Sequence, residues 1–153
     1  MALKQTIAAM GLAVASGAAF ANPIPLPGGE VLLSDNSAEE LINADGGTDT
    51  TLDLGDRLRG IFQIESIESG GQGTVTPFGG NELTGVFDLT VVTKVFNGSD
   101  YIYTFAATGN LEVAGAAVVM YYDASEDYTR QGCATTALCE ATATNGSIWA
   151  AFT

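Results

Sequence analysis

Residues 85–96 read GVFDLTVVTKVF, then come Asn97-Gly98-Ser99-Asp100, then residues 101–108, YIYTFAAT. Phe87, Leu89, Val91, Thr93 and Val95 fall on one side of an extended chain. Val86, Asp88, Thr90, Val92, Lys94 and Phe96 fall on the other. That alternation, rich in β-branched residues, is the signature of a strand. Asn97-Gly98 supplies the turn, and the apolar run from Tyr101 returns as a partner strand, so the stretch predicts a β-hairpin. A charged side chain belongs on the face that meets water. Phe87, Leu89, Val91 and Val95 are therefore expected in the core, with Asp88, Thr90 and Lys94 outside.

Working outward, residues 57–67 place Leu58, Phe62 and Ile64 opposite Arg59, Gln63 and Glu65, a second alternating strand. Residues 116–122, AAVVMYY, form a near-continuous apolar run, as in a strand buried on both faces. Residues 147–152, SIWAAF, follow an Asn145-Gly146 turn. Shorter strands are expected at 30–33 and at 111–114. Residues 37–43, SAEELIN, read as a short helix capped by Ser37, with Glu39 and Glu40 in its first turn. A further helical turn is expected at 124–128. Together these predict an all-β fold: an antiparallel β-sandwich or open barrel of about seven to nine short strands, with one short helix near the N-terminus.

The first 21 residues, MALKQTIAAMGLAVASGAAFA, have the layout of a secretory signal peptide. Lys4 forms the positive end, an apolar run follows, and Ala19-Phe20-Ala21 offers small residues for cleavage. The apolar run is short for a membrane span, which needs about 20 residues. Residues 22–29, NPIPLPGG, read as an extended Pro/Gly-rich leader, and residues 30–153 as a single β-rich domain. The predicted location is extracellular or at the cell surface. In that oxidising setting Cys133 and Cys139, the only two cysteines, are expected to form a local disulfide.

The chain carries 18 Asp+Glu against 5 Lys+Arg and no His, a net charge of −13. Nucleic acid is disfavoured as a partner, because its phosphates need Lys and Arg. Without His there is no catalytic imidazole, His-ligated metal or His pH switch. The acids are spread through turns and strand faces, so they read as the surface of an exported domain and not as an acidic tail.

Candidate chemistry follows from the remaining residue types. Oxygen-only ligands suit Ca²⁺, and two clusters could supply them: Asn43, Asp45 and Asp49 around a Gly pair, and Asp123, Glu126 and Asp127. Neither matches an EF-hand, and both residue sets also favour turns for backbone reasons. Tyr101 and Tyr103 share a strand face. With Trp149 on another strand they are candidates for a glycan-binding platform, or for cross-strand packing. Carboxylate pairs such as Glu65 with Glu68, or Asp53 with Asp56, could be proposed for a polysaccharide hydrolase. Nothing in the sequence singles them out, so no catalytic residue is assigned and the chain is read as a non-enzyme.

Four stretches recur in an order that resembles a known group: Leu54-Gly55-Asp56-Arg57-Leu58-Arg59-Gly60-Ile61-Phe62, then Gly80-Asn81-Glu82-Leu83-Thr84-Gly85-Val86-Phe87, then Tyr121-Tyr122-Asp123 leading to Cys133 and Cys139, then Gly146-Ser147-Ile148-Trp149-Ala150. The order resembles uncharacterised secreted proteins of Gram-negative bacteria in the PEP-CTERM group, which are handled by an exosortase. The group's C-terminal Pro-Glu-Pro, apolar span and basic residues do not occur here. The resemblance implies export and association with exopolysaccharide or biofilm matrix, and carries no catalytic residues. The expected function is a structural or interaction role in that matrix or at the cell surface. The alternatives are a Ca²⁺- or glycan-binding module, a fibre subunit that self-associates by strand exchange, and a carboxylate-dependent hydrolase.

Overall fold

The computed structural model describes residues 31–69, 73–75, 81–129 and 135–153. The predicted signal peptide (1–21) and leader (22–29) lie outside the described residues. The elements run β1 (Val31–Ile42), β2 (Arg57–Ser69), β3 (Gly73–Val75), β4 (Glu82–Phe96), β5 (Tyr101–Ala107), β6 (Val118–Asp123), α1 (Thr136–Ala143) and β7 (Ser147–Phe152). All the strands belong to one antiparallel sheet, ordered β1-β2-β4-β6-β7, with β3 added to β2 and β5 to β4. The all-β, antiparallel expectation holds. A second sheet, which a sandwich requires, is not found among the described residues.

β4 organises the sheet because it is long enough to serve three partners. Glu82 to Phe87 pair with β6, Thr84 to Thr90 with β2, and Leu89 to Phe96 with β5. Among the described residues, β4 beyond Val91 is paired only with β5. The predicted hairpin therefore continues out of the sheet as a two-stranded ribbon. Its turn is closed by Asn97, whose Oδ1 accepts from Ser99 N at 3.0 Å and Asp100 N at 2.9 Å. Gly98 sits there at φ +102°, where L side chains are strained.

Both faces of the sheet carry apolar clusters. One contains Ile61, Val86, Val119 and Tyr121, packed with Leu111, Ala116, Tyr128 and Ala143 of the connections and α1. The opposite face contains Phe62, Ile64, Ile67, Leu83, Met120 and Trp149. On that second face two Phe–Gly cross-strand pairs interlock: Phe62 opposes Gly85, and Phe87 opposes Gly60. A Cβ on Gly85 would lie 2.2 Å from Phe62 Cζ, and one on Gly60 would lie 2.3 Å from Phe87 Cζ. Each ring therefore occupies the space that the opposing residue leaves by having no side chain. Such pairs fix strand register as well as filling the core.

Several expectations are corrected. Residues 37–43 are not a helix near the N-terminus: Ser37 to Ile42 lie in β1, paired in register with β2. Local helix signals are overridden because the strand finds a hydrogen-bonded partner in β2 along its whole length. The helix that does form is C-terminal. Thr135 caps it, its hydroxyl accepting from Leu138 N at 3.3 Å. Residues 111–114 and 124–128 form neither a strand nor a helix. Val95 is exposed, not in the core. Asp88, expected in water, is 0% exposed. It is buried because Arg57 and Arg59 travel with it on the neighbouring strand. Arg57 donates two hydrogen bonds to it, at 3.2 and 2.6 Å, and Arg59 lies 3.8 Å away. Bonding to Asp88 raises the pKa of Arg57.

Candidate functional site: the aromatic ribbon and the acidic cluster

The β4–β5 ribbon places Lys94 opposite Tyr103 and Phe96 opposite Tyr101, so these four side chains leave one face. The Phe96 and Tyr101 rings are 5.2 Å apart, and those of Tyr101 and Tyr103 are 6.3 Å apart. Lys94 Nζ lies 4.7 Å from the centre of the Tyr101 ring and 5.8 Å from that of Tyr103. The same ammonium binds Asp53 Oδ1 at 2.6 Å, which raises its pKa and ties the ribbon to the β1–β2 connection. Phe96 is 57% exposed and Tyr101 55%, and Val95 and Ile102 on the other face are equally open. A two-stranded ribbon buries little of its own surface, so its apolar side chains stay in water unless something covers them.

The two tyrosines predicted for a glycan platform are thus brought together, Tyr101 exposed and Tyr103 half-buried. Trp149 is not with them. It is 4% exposed in the core face with Phe62, Leu83 and Met120. Phe96 takes the place expected of it. The alternation in residues 85–96 already put Phe96 beside Lys94, and only the register of the hairpin was needed to set it against Tyr101.

The acids predicted at the β1–β2 connection serve their own backbone. Asp45 Oδ1 accepts from Gly47 N at 2.7 Å, Asp49 Oδ1 from Thr51 N at 2.8 Å, and Asn43 Nδ2 donates to Asp49 O at 3.0 Å. This is turn chemistry. The buried Asp56 accepts from Ala44 N and Asp53 N, at 2.9 and 2.7 Å, and these bonds lower its pKa. Asp53 and Asp56 therefore hold a loop in place and do not face each other across a cleft.

The second predicted cluster is rearranged. Asp123 and Asp127 meet Glu82, and ligand oxygens of the three lie within 4.8 Å of one another. Glu126 is exposed and outside the group. Glu82 is the register partner of Asp123 across β4 and β6. Asp127 is held by Asn145, whose Nδ2 donates to it at 3.0 and 3.3 Å. Glu82 is 1% exposed. Its Oε2 accepts from Tyr128 N at 3.1 Å, and its Oε1 has no hydrogen-bond partner. Burial, reinforced by Asp127, Asp123 and Glu126 and opposed by the Tyr128 N–H, pushes its carboxyl up to about 7. Glu82 was missed from the sequence because an acid at the start of a strand reads as solvated.

Cys139 lies on α1, packs against the first apolar cluster and is not a free thiol. Cys133 lies outside the described residues. A shallow groove of about 340 Å³ between β1, β2 and the start of α1 is lined by Glu39, Glu40, Arg59 and Thr135. Arg59 is already bonded to Glu140 there. Among the described residues no helix is long and apolar enough to cross a membrane. Comparison with known proteins gives no match to a family model, a curated protein or a solved structure.

Proposed function

We propose that this chain is an exported, acidic, non-enzymatic β-domain that binds a component of the extracellular matrix or cell surface through its β4–β5 ribbon. The observation that carries the reading is the row Phe96–Tyr101–Tyr103, its first two rings exposed and the third half-buried, with Lys94 against the two tyrosines. Rings set along a ribbon can stack on successive sugar units, whose axial C–H faces are apolar. A net charge of −13 repels anionic polymers, so a neutral polysaccharide is the partner class that fits best. The signal-like N-terminus and the resemblance to exported matrix-associated proteins support the same compartment, where a Cys133–Cys139 bridge would form. Co-sedimentation with an insoluble neutral glucan such as cellulose tests the reading: the wild-type chain should pellet and Tyr101→Ala should not.

The alternative of self-association has its own observation, since among the described residues β7 ends the sheet order and is paired on one side only, by β6. A concentration-dependent oligomer of the wild-type chain on sizing, unchanged in Tyr101→Ala, would favour that reading over the ribbon.

A further inference from the structure

We propose that Glu82, Asp123 and Asp127 form a binding site for a hard divalent cation, Ca²⁺ above others, which fastens the Asp123–Tyr128 stretch to the sheet. The site is separate from the ribbon and stands or falls independently of it.

The geometry fits one ion. Ca²⁺ takes oxygen ligands at about 2.4 Å, so two oxygens on the same ion are at most about 4.8 Å apart. The three carboxylates meet that limit as they stand. They are also preset by other contacts: Glu82 and Asp123 by strand register, Glu82 by Tyr128 N, and Asp127 by Asn145. The feature that calls for a ligand is Glu82. It is 1% exposed, and its Oε1 has no hydrogen-bond donor. A buried carboxylate oxygen without a donor is costly unless a cation or proton meets it.

No described base does so. Arg57 and Arg59 are bonded to Asp88 and Glu140, and Lys94 to Asp53. The other two bases, Lys4 and Arg130, lie outside the described residues. Asp123 is half-buried and Asp127 exposed, which leaves a route in for an ion and room for waters to complete its shell. An all-carboxylate set is hard, so it favours Ca²⁺ or Mg²⁺ over softer metals, and its three acids do not enforce the strict octahedron of Mg²⁺. The ion would act on folding, because Tyr128, next to Asp127, is a buried member of the α1-side core.

The test uses the full folded chain, with thermal unfolding and titration calorimetry in chelator-treated buffer at pH 7.5. Sites of this kind bind extracellular Ca²⁺ with Kd of about 0.1–1 mM. At about 10 mM Ca²⁺ the folded-to-unfolded ratio should then rise about 10- to 100-fold, a higher Tm that chelator reverses. NaCl at equal ionic strength should give a much smaller rise. Glu82→Gln should lose the response. Asp127→Asn, an exposed change that leaves the core intact, should weaken binding at least about tenfold and decides the matter if the buried variant does not fold. No Ca²⁺ response in the wild type, or an equal response in Asp127→Asn or in NaCl, overturns the proposal.

Discussion

Replacing Gly85 by Ala adds one methyl to the core face of β4. That Cβ would lie 2.2 Å from Phe62 Cζ and 2.7 and 2.8 Å from its Cε1 and Cε2. Carbon atoms in contact prefer about 3.5–4.0 Å, so the Phe62 ring must move by more than about 1 Å. Phe62 is 8% exposed and packed among Ile64, Leu83 and Met120, so there is little room to move. Overpacking of this kind costs about 1–3 kcal/mol. The lower backbone entropy of Ala in the unfolded chain returns about 0.4–1 kcal/mol, leaving a net loss near 1–2 kcal/mol. Phe62→Ala alone should cost about 3–5 kcal/mol. In the double variant the new methyl enters space the ring has left, so its cost should be below the sum by about 1–2 kcal/mol. Urea unfolding followed by the fluorescence of Trp149, the one tryptophan and a member of the same core, measures all three. Gly60→Ala is the control. Its Cβ meets Phe87 at 2.3 Å but also the Ala38 backbone oxygen at 2.9 Å, so removing Phe87 should rescue it only partly. If Gly85→Ala is neutral, or costs in the double variant add within about 0.5 kcal/mol, the interlocking account is wrong.

Other expectations follow from the charged groups and the cysteines. Asp88→Asn leaves two arginines facing a neutral group at a fully buried site. It should cost about 3 kcal/mol in urea unfolding, at the low end for a buried pair because both arginines still reach water. In calcium-free buffer, Glu82 makes stability pH-dependent. Its carboxyl is raised from 4.5 to about 7, so the protonated folded form is favoured. The contribution is complete below pH 4.5 and is lost as pH rises through 7. At about 1.4 kcal/mol per pH unit this is on the order of 3 kcal/mol. Glu82→Gln should flatten that part of the pH profile, and an unchanged slope would refute the assignment. Intact-mass measurement should show two hydrogens fewer in the native chain than after reduction, and reduction should cost at most about 2–3 kcal/mol for so short a loop.

The hairpin and the outer strands were legible in the sequence because their alternation, turn residues and length agree with one another. Residues 147–152 are β7 as read, and residues 57–67 fall within β2. What escaped depended on partners distant in the chain. Residues 37–43 carry helix signals, but β2 offered pairing that local propensity cannot foresee. Asp88 looked solvated until Arg57 and Arg59 were placed on the adjoining strand. The acidic cluster was half visible. Asp123 and Asp127 stand out in a turn-like segment, while Glu82 joins them only through the β4–β6 register. Residues 136–143 lack a strong apolar stripe, so only the Thr135 cap and the helix-forming Ala, Leu and Glu marked the helix there.

The proposed role of the β4–β5 ribbon is to bind a neutral polysaccharide outside the cell through the exposed rings of Phe96 and Tyr101. Its most direct measurement is co-sedimentation of the purified chain with insoluble cellulose, comparing wild type, Tyr101→Ala and Phe96→Ala, with unfolding curves to show that each is folded. Tyr101 and Phe96 are more than half exposed, so both variants should keep wild-type stability within about 1 kcal/mol. The account predicts that the wild type pellets with the glucan and that both variants stay in solution. Equal pelleting by all three, or none by the wild type, would contradict it.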